Sequence, residues 1–212
     1  VNTFAGPVTI ARGILSIDTE AALGATPTSI TNNLFISDGA TLRHQNTLAG
    51  TTVLSAHRTI VLGPAAGSGT ATIEVSLTSQ LQIDGDLNNN AASSASLVKA
   101  GTGTLALNGA GNYSGSTTVA NGTLFVNGST GLGNVTATVD RTNPDSPIVP
   151  TLGGGVLIRG GLTVNGSMVQ PLSSDNGTVL PGTLAVAGAA TIGGAGSVLS
   201  ITLGGTTPGD GA

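Results

Sequence analysis

The chain has 212 residues, of which 34 are Gly, while charged residues make up 8% and aromatic residues 2%. It has no Cys, no Trp, six Lys+Arg and a net charge of −4. That excludes a disulfide scaffold, a thiolate metal centre and the basic footprint of a nucleic-acid or anionic-membrane binder. The hydrophobic fraction of 39% is too high for a disordered chain, and the irregular spacing of Gly excludes collagen. No apolar run reaches the roughly 18 residues that would cross a membrane. The opening residues, Val1 to Phe4, carry no initiator Met and no signal peptide, so the sequence reads as a piece of a longer protein or a processed product.

In chain order, alternation of apolar with small or polar residues predicts strands at Pro7–Ile10 and Ile14–Ile17, then a turn or short helical stub at Thr19–Gly24. Further strands are predicted at Thr59–Leu62, Ala71–Val75, Gln80–Ile83, Thr104–Leu107, Thr117–Val119 and Thr123–Val126. The series continues with Val135–Val139, Val156–Ile158, Leu162–Val164, Thr183–Val186 and Val198–Leu203. Other helix signals are nearly absent, because Gly or Asn interrupts almost every window of a helix's length. Between the strands stand turn dipeptides, with Asn-Gly at 108, 121, 127, 165 and 176 and Asp-Gly at 38, 84 and 210. Asn-Gly is a strong hairpin signal, which keeps a hairpin-built sandwich open. Very short strands and the missing aromatic core suit a narrow β-solenoid better, in which each strand pairs in parallel with its counterpart one coil later.

A shift of 109 residues lays Phe4–Gly24 on Tyr113–Gly133, with seven of 21 positions identical. Among them are Gly6/Gly115, Thr9/Thr118, Gly13/Gly122 and Leu15/Leu124, at alternating apolar sites and turn glycines. The segment Leu97-Val98-Lys99-Ala100-Gly101-Thr102-Gly103-Thr104-Leu105-Ala106-Leu107 runs on through Asn112, Tyr113, Gly115, Thr117, Val119, Gly122, Thr123 and Leu124. It resembles the autotransporter-associated β-strand repeat of bacterial passenger domains, written L-x-K-x-G-x-G-T-L-x-L-x-G-x-N-x-Y-x-G-x-T-x-V-x-x-G-T-L. Residues 4–17 resemble the second half of a preceding copy, Leu54–Gly63 the coils between repeats, and Leu180–Gly209 the coils that follow the last repeat. The resemblance implies an all-β, right-handed, single-stranded parallel β-helix (β-solenoid), export, and a secreted or cell-surface address. It implies one continuous solenoid over 1–212, with repeat copies at about 4–24 (partial) and 97–133 and terminal coils at about 177–212. No membrane β-barrel translocator is present in the sequence, so autotransport itself is not implied.

Residues with chemical potential are few. Asp84-Gly85-Asp86-Leu87-Asn88 spaces oxygen ligands like the start of a calcium loop, but Ala95 stands where the closing carboxylate belongs, so a polar turn is expected. Gly193–Ser197 nearly matches a calcium β-roll repeat but has Ser where Asp is needed. His44 and His57 lack a nucleophile elbow and an orienting acid, and they are expected solvated or stacked along the outside of a coil. Apart from Asp18/Glu20 and Asp84/Asp86 the acids are single, which is a poor basis for polysaccharide cleavage. Thr-x-Thr occurs at 26–28, 70–72, 102–104 and 136–138, with gaps too uneven to predict a flat hydroxyl ladder. Sequons stand at Asn112, Asn121, Asn127, Asn134, Asn165 and Asn176, where Asn doubles as a turn former.

The expectation is therefore a structural protein and not an enzyme, with no catalytic, cofactor or metal residues. Its interior ladder should run through Ile10, Ile17, Leu62, Ile73, Leu105, Leu107, Val119, Leu124, Val126, Leu184, Val186, Leu199 and Ile201. Coils of about 20 residues stacked about 4.8 Å apart would give about ten coils, a rod about 50 Å long. No cap is visible at either end, so the partners expected are copies of the same chain, joined end to end into a fibre through Val198, Leu199, Ile201, Leu203, Phe4, Val8 and Ile10. The alternatives are a rigid spacer, an adhesin for glycans or host ligands, and, less favoured, a polysaccharide-degrading β-helix. Nucleic acid and membrane insertion by this segment are not expected.

Overall fold

A computed structural model describes residues 2–45, 50–76, 79–128, 137–140, 148–155, 157–175 and 178–200. Val1, Gly133, Asn134, Val135, Thr136, Val156, Asn176, Ile201, Leu203 and Gly209, named above, lie outside the described residues.

The chain winds in coils with up to three short strands each. The first coil holds β1 (Val8–Ile10) and β2 (Ile14–Ile17), then a 3₁₀ turn at Glu20–Leu23. The second holds β3 (Thr31–Ile36), β4 (Thr41–His44) and β5 (Thr51–Leu54). The third holds β6 (Arg58–Leu62), β7 (Ala66–Val75) and β8 (Gln80–Ile83). Next come β9 (Leu87–Asn89), β10 (Ala92–Ala100) and β11 (Thr104–Leu107), then β12 (Gly111–Asn112), β13 (Thr117–Val119) and β14 (Thr123–Val126). After β15 (Ala137–Asp140) and β16 (Thr151–Gly154) follow β17 (Leu157–Ile158), β18 (Leu162–Asn165) and β19 (Met168–Gln170). A hairpin, β20 (Leu172–Asp175) with β21 (Thr178–Pro181), precedes β22 (Ala185–Val186), β23 (Ala190–Gly193) and β24 (Val198–Leu199).

Stacking of the coils makes three walls, of five (β1 to β12), eight (β2 to β23) and seven (β5 to β24) strands among the described residues. Every pairing within the walls is parallel, and β20–β21 is the antiparallel exception among the described residues. This is the β-solenoid, and the sandwich alternative falls. Of the Asn-Gly dipeptides, the one at 176 is bracketed by the hairpin pair Asp175–Thr178. Those at 108, 121, 127 and 165 follow or end wall strands.

Alternation sends every second side chain inward. On the third wall Leu81, Leu105, Leu124, Leu152 and Val169 stand in register, each 0–1% exposed. On the first, Ile10, Ile36 and Leu62 stand in register and are buried, as are Leu42, Ile73, Lys99 and Val119 on the second. Burying each Leu or Ile contributes about 1.5–3 kcal/mol. Of the expected interior ladder, Ile10 through Val126 are buried, Leu184 and Val186 are half-buried, and Leu199 is 39% exposed. Leu199 continues the inward column of the third wall, but β24 has a strand on one flank alone among the described residues.

Two expectations need correction. Coil length is not uniform: from Thr41 to Thr72 a coil takes 31 residues, and from Val98 to Thr118 it takes 20. The extra residues make corners and longer strands, so the described rod has eight rungs on its longest wall, spanning about 34 Å at the ordinary strand spacing. Uneven coils also mean that constant sequence gaps are a poor test for ladders. The register aligns Thr41, Thr72, Thr118, Thr138, Thr163 and Thr191 in one column of the second wall, with Val98 among them.

The 109-residue offset acquires a geometric meaning. It matches β1–β2, on the first and second walls, with β13–β14, on the second and third. The shared unit is strand, glycine corner, strand, rotated by one wall. Its corner glycines, Gly13 and Gly122, have φ +75 and +66, a left-handed conformation that a Cβ resists.

The inward ladder predicts a sharp contrast in denaturant unfolding. Leu105→Ala should cost about 2–5 kcal/mol, whereas the outward neighbour Thr104→Ala should cost less than about 1 kcal/mol.

Candidate functional site

The interior carries polar groups that the hydrophobic pattern does not announce, and four of them, Arg58, His44, Lys99 and Tyr113, have defined partners. Arg58 is fully buried at the start of β6. Its guanidinium reaches Glu20 Oε1 (3.3 Å), the carbonyls of Leu23 and Ala25 (both 3.3 Å) and the side-chain oxygen of Asn33. Asn33 turns inward where the β3–β6 register shifts between Asn32 and Leu34. Glu20 also accepts from Ser55 N (2.9 Å), which fastens the 3₁₀ turn over the edge of β5. An edge expected to be open is thus partly covered.

His44 is fully buried, not on the outside of a coil as its polarity suggested. It ends β4 on the inward side. Thr52 Oγ1 donates to the Asp18 carbonyl (3.1 Å) and so accepts from His44 Nε2 (2.9 Å), leaving Nδ1 toward the Ser79 hydroxyl (3.3 Å). The Ser79 hydroxyl also lies 2.8 Å from the Ser76 carbonyl, so its single proton is shared between that oxygen and Nδ1. Burial lowers the His44 pKa below its usual value, against an opposing pull from Asp18. A neutral, enclosed imidazole with no carboxylate side chain on either nitrogen positions the third coil and has no access to a substrate. His57 is exposed, with Nδ1 3.1 Å from the Pro27 carbonyl.

Lys99 is the second buried cation, after Arg58. Its ammonium donates to the carbonyls of Ala100 and Gly101 (both 2.8 Å) and Asn121 (3.0 Å), gathering two successive corners. Burial pushes its pKa down to about 7, partly opposed by Glu74. Tyr113 is buried as well, bonded to Thr117 Oγ1 (2.6 Å), and burial pushes its phenol up to about 12.

The acids serve coil-to-coil contacts. Asp84 Oδ1 accepts from Gln82 (2.9 Å) and Asn108 (2.8 Å), and Asn127 donates on to Asn108 (2.9 Å). Asp86 Oδ1 accepts from Ala110 N (2.8 Å). Glu74 pairs with Arg43 (3.0 Å) across β4 and β7. Among the described residues no three His, Asp or Glu side chains gather as a metal set would. No helix of the structure is long and apolar enough to cross a membrane, again among the described residues. The residues expected to mediate assembly fall into two groups. Phe4, Val198 and Leu199 are 40%, 42% and 39% exposed, whereas Val8 is half-buried and Ile10 belongs to the core.

The segment from Leu97 to Val126 now reads as geometry. Leu97 and Lys99 face inward on β10, Leu105 and Leu107 on β11, Thr117 and Val119 on β13, and Leu124 and Val126 on β14. Gly115 sits so close to the preceding coil that a Cβ would lie 2.1 Å from the Ala95 carbonyl oxygen. Residues 97–126 match the family model described as passenger-associated-transport-repeat. A passenger-type β-helix repeat protein fits both the match and the fold. No curated protein and no solved structure matches the chain.

Within the passenger-type repeat, the Lys of the motif was visible in sequence but its cage was not. Nothing in the sequence marked Arg58 or His44 as interior. Two measurements follow. Lys99→Met leaves three corner carbonyls without a donor and should cost about 2 kcal/mol in denaturant unfolding. The His44 imidazole is harder to protonate folded than unfolded, so its contribution is present above the unfolded value of 6.5 and is lost as pH falls from there toward the lower folded pKa. Urea midpoints should therefore drop from pH 7 to pH 5, and His44→Gln should flatten that drop.

Proposed function

We propose that the chain is a rigid spacer in a secreted or cell-surface protein of the passenger type. The observation that carries this reading is the unbroken register of the second wall. Eight strands follow one another through it, and the buried cations Arg58 and Lys99 tie neighbouring coils together. Such a rod holds two points at a fixed separation and needs no chemistry of its own. The acids and imidazole reviewed above are committed to contacts between coils, which supports a mechanical role over an enzymatic one. The burial of Tyr113 withdraws one of the four aromatic side chains from any glycan-binding surface.

A second reading, end-to-end assembly into a fibre, is favoured by one observation. Ile192, Val198 and Leu199 are exposed on β23 and β24, the last rungs among the described residues. Against head-to-tail stacking, the third wall begins beneath the 3₁₀ turn held by Glu20 and Arg58, so an incoming β24 would meet a turn and not a strand edge.

Double electron–electron resonance tests the spacer directly, because the chain has no Cys to interfere. Spin labels on cysteines replacing Ser16 and Thr191, both exposed and on opposite ends of the second wall, should give a narrow distribution near 35 Å, about seven strand spacings. A broad distribution overturns the spacer. Light scattering that grows with concentration and is abolished by Leu199→Lys would move the reading to the fibre.

A further inference from the structure

The corners between the first and second walls are unequal. The first coil turns between Ile10 and Ile14, whereas β7 and β10 begin well ahead of the wall and pair there as a ledge, Ala66–Gly69 with Ala92–Ala95. One flank of the ledge is occupied. Gly115 N donates to the Ala95 carbonyl (2.8 Å) and Ser116 N to Ser96 Oγ (3.1 Å). On the other flank β4 joins β7 only from Thr72 onward. Thr70 is satisfied there, donating to Asp38 Oδ1 (2.8 Å) and accepting from Gly39 N (2.8 Å). Ahead of it Ala66, Gly67 and Ser68 are exposed, and no described strand pairs with their outer edge. Backbone N–H and C=O directions alternate along a strand, so Ser68 aims its pair to the same side as Thr70, into the open flank.

Beneath this edge lies a hollow of about 550 Å³ lined by Ala11, Arg12, Ser37, Asp38, Gly39 and Pro64. Arg12 is exposed and has no carboxylate partner among the described residues, while Asp38 has one oxygen committed to Thr70. Arg12 and Asp38 thus line one hollow, and Asp38 and Pro64 of that lining adjoin Gly69 of the ledge. Strand addition draws affinity from such an edge and selectivity from the side-chain contacts beside it.

We propose that the ledge at Ala66–Gly69 is a strand-addition site for an extended peptide segment of another chain that carries a carboxylate. The peptide lies along the free flank of β7, pairs with Ser68 and sets its acid against Arg12. The site is independent of the spacer reading, because a rod presents it whether or not the rod acts as one.

The test uses the full chain and two eight-residue peptides of alternating Thr and Val, one with a central Glu and one with a central Lys, followed by fluorescence anisotropy and amide hydrogen exchange. The Glu peptide should bind, should be favoured over the Lys peptide by roughly fivefold at low salt, and should slow exchange at residues 66–69. Arg12→Glu lies on the surface and leaves the fold intact, and it should reverse the preference. Ser68→Pro removes the backbone donor and should abolish binding, with an unchanged melting curve as its control. No binding at millimolar peptide, or binding that ignores Arg12→Glu, overturns the proposal. So does a self-dimer lost in Ser68→Pro, which would assign the edge to a second copy of this chain.

Discussion

A single coil of this chain cannot enclose a core. Its inward residues are a few Leu, Ile and Val on strands of two to ten residues, and their flanks are bare until another coil lies against them. Contact at one strand spacing solves this, because parallel pairing and side-chain stacking are then satisfied together. That spacing leaves no room at certain backbone positions. A Cβ at Gly115 would sit 2.1 Å from the Ala95 oxygen, and one at Gly128 would sit 1.9 Å from the Gly109 oxygen. Many of the glycines that first suggested slack are therefore the condition for close stacking.

The same stacking explains how a narrow interior tolerates charge. Where coils turn, carbonyls converge, and a buried cation can replace the water they would otherwise need. Lys99 does this between two corners, and Arg58 does it between the 3₁₀ turn and β3. Each cation touches more than one coil, so each also fixes the order in which coils follow.

Strands with an unbroken period-two alternation and an aliphatic residue at their inward end were legible with their boundaries intact. Ile14–Ile17, Gln80–Ile83, Thr104–Leu107, Thr117–Val119 and Thr123–Val126 are of this kind. Others were hidden because an inward position is polar or small. β4 ends on inward His44, β10 sends Ser93, Ala95 and Lys99 inward, and β3 is broken by Asn33 at a register shift. A period-two pattern cannot show a histidine that will be sealed by Thr52 and Ser79, since both partners lie on other strands or loops. The ledge at Ala66–Gly69 was invisible for a different reason. Its residues read as a small-residue loop, and only the register with Ala92–Ala95 makes them a strand.

The Arg58 contacts have a mechanical consequence. In a solenoid the backbone hydrogen bonds run along the long axis, so a pull on the two ends loads the rungs in series and opens them one after another. A rod of this design resists bending and compression far better than tension. Arg58, on the third coil, grips Asn33 on the second and Glu20, Leu23 and Ala25 beside the first. It acts as a bolt through three rungs, and a tensile break would begin in the coils that no such bolt crosses.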